Sequence, residues 1–204
     1  MFNILKVKYL TLKPILFLLL CLYVLFLLLI AVGIGERPNT IFLLIQLIFI
    51  PFSAYLSLHL FNDLFNSNLT TFLHTFYKRK IEKIYCVCLA LYFLPLCLLC
   101  GLLELRFGNF DTFSAIILLF SQMVFFSSLA LIGFAVFGAL NVTITLFVLY
   151  LSIELATFGS LRYMVHIFYM DLYHSISFSS IDHLLIVNSL LGIFAYRLFK
   201  TIVS

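Results

Sequence analysis

Leu60–Lys83 reads LFNDLFNSNLTTFLHTFYKRKIEK, a polar island in an otherwise apolar chain. Apolar residues recur at Leu69, Phe72, Leu73, Phe76 and Tyr77, the i, i+3, i+4, i+7, i+8 spacing of one helical face. Thr70, Thr71, His74 and Thr75 fill the opposite face. Asn66, Ser67 and Asn68 stand where an N-cap belongs, because their side chains accept from the orphan N–H groups of a first turn. Lys78, Arg79, Lys80 and Lys83 crowd the far end, where positive charge suits the helix dipole. Two readings are open: a charged loop between two spans, or a short amphipathic helix at 61–83 lying on a membrane surface and offered to a soluble partner. Under either, the runs that flank the island decide the fold, because each is apolar over the thickness of a bilayer.

The whole chain agrees. Its 204 residues are 65% hydrophobic and only 10% charged, with a mean hydropathy of +1.23. A water-soluble fold cannot hide that much apolar surface. The expectation is an all-α, polytopic membrane protein with six transmembrane helices, residues 1–204 forming a single domain. The formal net charge of +4 does not indicate nucleic-acid binding, since the basic residues gather at span ends. Cys21, Cys86, Cys88, Cys97 and Cys100 all lie in apolar runs. The Cys97–Cys100 pair lacks the second pair or nearby histidines that a metal site needs, so the cysteines read as small core hydrophobes.

Taken in order, residues 1–13 form a basic surface helix. Spans follow at about 14–34, 40–60, 84–103, 112–137, 142–161 and 183–199. Pro51 and Pro95 mark kinks. The N-terminal run is too long for a signal peptide and reads as a retained span. Placing the N-terminus inside puts nine basic residues on the inner side: Lys6, Lys8, Lys13, Lys78, Arg79, Lys80, Lys83, Arg197 and Lys200. Only Arg37, Arg106 and Arg162 fall outside. The asymmetry predicts that both termini and the island are on the inner side. Residues 162–182, with Tyr163, Phe168, Tyr169 and Tyr173, predict a broken or interfacial helix on the outer face.

Glu154 lies within span five, in LYLSIELATFG (Leu149–Gly159). A carboxylate at that depth is costly and marks a functional candidate, against the plainer reading of a hydrogen-bonded acid between helices. Gln46, Gln122 and Asn188 are its candidate partners, and the sequence does not choose among them. His166, His174 and His183 lie toward the outer side, where two or three could approach one another around a metal or haem; their spacings match no compact ligand motif, so they read as interfacial polar residues and no metal site is assigned. No Gly-rich phosphate loop, HExxH or nucleophile elbow is present. The chain reads as a membrane subunit rather than an enzyme, and ATP hydrolysis, if coupled to it, belongs to another chain.

A basic N-terminal helix, two spans, an inner amphipathic segment, three spans, an outer broken segment and a last span together resemble an ABC-2-type permease. Within that group the chain resembles the CcmB family, the membrane subunit of the haem-exporter-like ABC complex of cytochrome c maturation. The residues that carry the resemblance are Leu60, Phe61, Asp63, Leu64, Leu69 and Leu73 after the second span, LFVLYLSIELATFGS (Leu146–Ser160), and IFAYRLFK (Ile193–Lys200). Asn68 and Thr70 stand near the family's Gly and Glu, and Tyr150 and Glu154 replace its usual prolines. The resemblance implies a CcmA-like ATP-binding subunit gripping Asp63, Leu69, Phe72, Leu73 and Phe76. It also implies a second permease copy and CcmC-like and CcmE-like haem-handling partners, with haem as handled substrate and no covalently bound cofactor. The compartment it implies is the mitochondrial inner membrane or, alternatively, a bacterial one; a composition rich in Phe and Tyr and free of Trp suits an AT-rich genome.

Two alternatives remain. One is a generic ABC-2 exporter of a peptide, lipid or drug. The other is a proton-channel-type subunit of respiratory complex I, whose smallest member carries a mid-span Glu in a context similar to Ser152–Leu155. That reading expects a second carboxylate where Asn188 stands.

Overall fold

The computed structural model describes residues 2–33, 37–66, 71–157, 166–174 and 176–203, with the side chains of 13–14, 16–33, 37–59, 86–157, 166–174, 176–199 and 201. Among these the chain forms six α-helices and no strand: α1 (Phe2–Val32), α2 (Pro38–Asn66), α3 (Thr71–Phe107), α4 (Thr112–Phe137), α5 (Leu140–Thr157) and α6 (Phe178–Val203). Five of them, α2 to α6, are long and apolar enough to cross a bilayer, and α1 adds the shorter apolar stretch Leu16–Val32. The protein is thus an all-α, multi-pass membrane protein. In lipid, helices satisfy every backbone group internally, which is why so apolar a chain takes this form.

Helix α4 is the centre, packing on α2, α3, α5 and α6. Its start is fixed by Asp111, whose carboxylate accepts from the Ser114 N–H at 3.2 Å, the expected N-cap bond. Its end is fixed by Gly138, at φ 62°, whose N–H donates to the Phe134 carbonyl at 2.9 Å. Only a residue without a Cβ takes that left-handed turn cheaply, so α5 starts at once, two residues on. Helix α6 comes close to α4 at Gly192, where an added Cβ would sit 3.2 Å from the Phe125 backbone. Small residues at such crossings let membrane helices gain packing energy that lipid cannot match.

Helix α5 is attached differently. Its fully buried side chains are Thr143 and Glu154, both polar, while Val142, Leu146, Val148, Leu149 and Ile153 face outward. Thr143 fits against Gly133 of α4, and Glu154 holds the opposite end.

Gly33 after α1, the start of α2 and the turn at 107–112 share one end of the bundle. There the Phe42 and Phe110 rings meet edge to face at 5.4 Å, and Arg106 of α3 lies against Gly33 after α1. Two features at this level of structure differ from the sequence reading. First, residues 71–83 are not a separate surface helix: α3 runs unbroken from Thr71 to Phe107. No Gly or Pro interrupts it before Pro95, and Lys, Arg, Glu and Ile propagate a helix well. Likewise α1 is continuous from Phe2 through Pro14. Second, the segment before α6 is not an interfacial helix. From His166 to Ser177 its described residues are non-helical, and Phe168 and Tyr169 are buried in the bundle.

Candidate functional site

The non-helical segment, here called the strap, enters among α2, α4, α5 and α6. The depth of its contacts follows from helix geometry. Gln46 is eight residues into α2 and Gln122 and Asn188 are each ten residues into α4 and α6, or about 12–15 Å from the strap end at about 1.5 Å per residue. Glu154 is fourteen residues into α5 from the opposite end, or about 21 Å. Across a hydrocarbon core about 30 Å thick, Glu154 then lies about 9 Å and the three amides about 12–15 Å from the strap end, so the strap's inner part reaches well into the apolar region.

Irregular backbone at that depth needs partners for every N–H and C=O group. The four helices supply side-chain partners for the Ile167, Phe168 and Tyr169 N–H groups and for the Ile167 and Tyr169 carbonyls. Glu154 Oε1 accepts from the Ile167 N–H at 2.8 Å and the Phe168 N–H at 3.2 Å. Gln46 Oε1 accepts from the Tyr169 N–H at 3.0 Å, and Gln46 Nε2 donates to the Tyr169 carbonyl at 3.4 Å. Gln122 Nε2 donates to the Ile167 carbonyl and to Gln46 Oε1, both at 2.7 Å. Asn188 Nδ2 donates to the same Ile167 carbonyl at 3.4 Å. All four side chains are completely buried. Their amide orientations are fixed by these bonds, since turning Gln122 over would face its oxygen to two others. Three oxygens nonetheless find no hydrogen bond: Glu154 Oε2, Gln122 Oε1 and Asn188 Oδ1. Tyr150, one turn before Glu154, interacts with its carboxyl.

Below the strap, Phe126 of α4 carries its weight. Its ring lies 5.5 Å from Phe168, 5.7 Å from Phe147 and 6.3 Å from Tyr150, centroid to centroid. Toward the bundle's end the strap turns on itself. Asp171 accepts from the Tyr173 and His174 N–H groups at 2.9 and 3.0 Å, and its other oxygen meets His174 Nδ1 at 2.7 Å. These donors hold the Asp171 carboxyl below its ordinary range. Asn39, at the start of α2, donates to the Asp171 and His174 carbonyls. Arg37 lies 4.6 Å over the exposed Tyr173 ring, a cation–π contact.

Glu154 and its candidate partners Gln46, Gln122 and Asn188 are therefore brought to one place. They meet through the strap backbone, with Gln122 and Gln46 also bonded directly. Sequence reasoning missed Asn39 and the strap itself. The signal was there in Ile167–Tyr169, an apolar triplet in a stretch too short and too interrupted for a helix. The histidines do not converge: His174 pairs with Asp171 and His183 lies beside Asp182. Among the described residues no group of three His, Cys, Asp or Glu side chains is placed to hold a metal, and the cysteines are free. Leu69, and the side chains of Asp63, Phe72, Leu73 and Phe76, lie outside the described residues.

No protein-family model, curated protein or solved structure matches the chain.

Proposed function

We propose that the chain is the membrane permease subunit of an ABC transporter complex serving haem delivery in c-type cytochrome biogenesis. A separate ATP-binding subunit, CcmA-like, supplies ATP hydrolysis, and a second permease copy completes the membrane part. CcmC-like and CcmE-like proteins handle haem beside it, in a mitochondrial or bacterial inner membrane, with both termini on the ATP side. The reading rests on the order of elements that resembles the family, and one structural observation carries it. Helix α3 has 37 residues, a rod of about 55 Å at about 1.5 Å per residue, against a core of about 30 Å. Its apolar part is Cys86–Phe107, so the excess falls on the stretch before it, with its basic residues Lys78, Arg79, Lys80 and Lys83. With the last turns of α2, that overhang is a rigid handle that a water-soluble motor can grip, continuous with a span that would carry the motion into the membrane.

Phe72→Asp tests it. A charge on the apolar stripe costs about 2–3 kcal/mol at a desolvated contact and lowers recovery of the ATPase about 30- to 150-fold, at about tenfold per 1.4 kcal/mol. Thr71→Asp, on the other face, has a much milder effect. The measurement is pull-down of the tagged chain at equal membrane expression. Retention of the ATPase by Phe72→Asp, or recovery of NADH dehydrogenase subunits in its place, overturns the proposal. Recovery of the ATPase without haem-handling proteins favours the generic exporter.

A further inference from the structure

We propose that the part of α3 before Pro95, Thr71–Leu94, is a lever arm that pivots at Pro95 and is latched to the bundle by Tyr92. Pro95 stands inside α3. It has no N–H, so the helix bond that would reach the Leu91 carbonyl does not form, and its ring crowds that carbonyl. Sharp bends in helices fall at such residues.

Burial changes at the same residue. Beyond Pro95 the side chains of Leu96, Leu99, Cys100 and Leu103 are buried in the core. Thr112, at the start of α4, adds a bond to the Cys100 carbonyl at 2.9 Å. Before Pro95 none of the side chains from Cys86 to Leu94 is fully buried, and Val87, Leu91 and Leu94 are exposed. One part of the helix is therefore built into the bundle and the other lies along it. A proline alone does not produce this division, as α2 shows. Pro51 stands inside α2, yet Phe49 and Ile50 before it and Ala54, Leu56 and Leu58 after it are all buried. Neighbouring helices hold both parts of α2, but only one part of α3.

Two contacts close the base of the arm. Tyr92 Oη donates to the Phe49 carbonyl of α2 at 2.5 Å. The Phe93 ring meets the Phe120 ring of α4 edge to face, with centroids 5.4 Å apart. The arm reaches about 36 Å from the pivot to Thr71 at about 1.5 Å per residue. A bend of about 20° at the pivot carries that far end about 12 Å, and Tyr92, three residues away, about 1.5 Å. The smaller movement is enough to break a hydrogen bond. The latch is thus either made or broken, while the far end gains a long stroke.

The inference deepens the permease reading, since this arm carries the overhang that a motor would grip. Its test uses no ATPase, so failure of the lever and failure of the permease reading are distinguishable. Spin labels are attached to engineered cysteines in the full chain, with the native cysteines replaced, in lipid nanodiscs. Lys80→Cys in the arm is paired with Val136→Cys near the end of α4. Leu105→Cys, beyond the pivot, is paired with Phe178→Cys at the start of α6. Pulsed electron paramagnetic resonance reads both distances. The Leu105 pair gives one narrow distance. The Lys80 pair gives two, about 8 Å apart for a 20° bend. Tyr92→Phe removes only the hydroxyl. It raises the ratio of open to latched arm about three- to tenfold, the size of one hydrogen bond, and leaves the Leu105 pair unchanged. Pro95→Ala restores the backbone bond and reduces the Lys80 pair to one distance. A Lys80 pair that Tyr92→Phe does not shift, an equal shift in the Leu105 pair, or two Lys80 distances surviving Pro95→Ala each overturns the proposal. If Pro95→Ala does not assemble, Tyr92→Phe decides alone.

Discussion

The two halves of the strap are held by opposite means. The inner half, Ile167–Tyr169, makes its backbone bonds to side chains from four helices, all distant in sequence. The outer half, Asp171–His174, is closed mainly by its own Asp171, two and three residues from its donors. Asn39 hydrogen-bonds it to the start of α2, where Arg37 also lies over the Tyr173 ring. The inner half is buried and the tip is exposed, with Tyr173 at 79%. In hydrocarbon an unmet N–H has no water to turn to, so the inner half exists only with its partners in place. At the tip water replaces any bond that breaks, so each bond is worth less.

That contrast sets three expectations beyond the tests already described. The largest effect belongs to Glu154→Leu. It strands the Ile167 and Phe168 N–H groups, at about 1–3 kcal/mol each, so about 2–6 kcal/mol in all. In a background with the native cysteines replaced, Phe168→Cys then reacts with a water-soluble maleimide in the Leu variant. In the parent it stays protected, and so it does with Glu154→Gln, which keeps the acceptor. Equal protection in the Leu variant would remove the distinction between the two halves.

Asn39→Leu comes next. It loses two bonds to the tip while also removing the buried orphan Asn39 Oδ1, for a net cost of about 1 kcal/mol. Exchange at Tyr173 and His174 accelerates about fivefold at that cost, at about tenfold per 1.4 kcal/mol. Exchange at Ile167 stays as it was. Spread of the effect to Ile167 would show the halves acting as one unit.

The smallest effect is the tip's response to acid. The Asp171 carboxyl is held below its ordinary value of 3.8 by the His174 and Tyr173 N–H groups. A depressed carboxyl contributes stability that is complete above the ordinary value and lost as pH falls through the lowered one. The tip therefore stays closed through neutral and mildly acid pH and opens only below about pH 4. The Tyr173 amide shift reports the opening, and Asp171→Asn removes the titration. A transition several pH units higher would assign the closure to another group.

Much of the fold was legible because apolar length and charge placement are local quantities. The span at Thr112–Phe137 was read to the residue, helped by Asp111 as a cap and Gly138 as a stop. The sequence also singled out Glu154, Gln46, Gln122 and Asn188, because a polar side chain within an apolar run stands out without any structure. The helix through Thr71–Lys83 was legible as helical but not as part of α3, since periodicity describes a face and says nothing of whether the next helix is collinear.

Amino-acid sequence alone determined that this is a helical membrane protein, where its spans lie, and which polar residues sit at membrane depth. Those facts follow from transfer of side chains out of water, residue by residue. Tertiary structure alone decided that the four polar side chains serve one backbone segment, that this segment is a strap rather than a surface helix, and that three oxygens remain without donors. Those facts depend on bonds between residues up to 123 positions apart, whose pairing is settled by how helices pack and not by anything written near either partner.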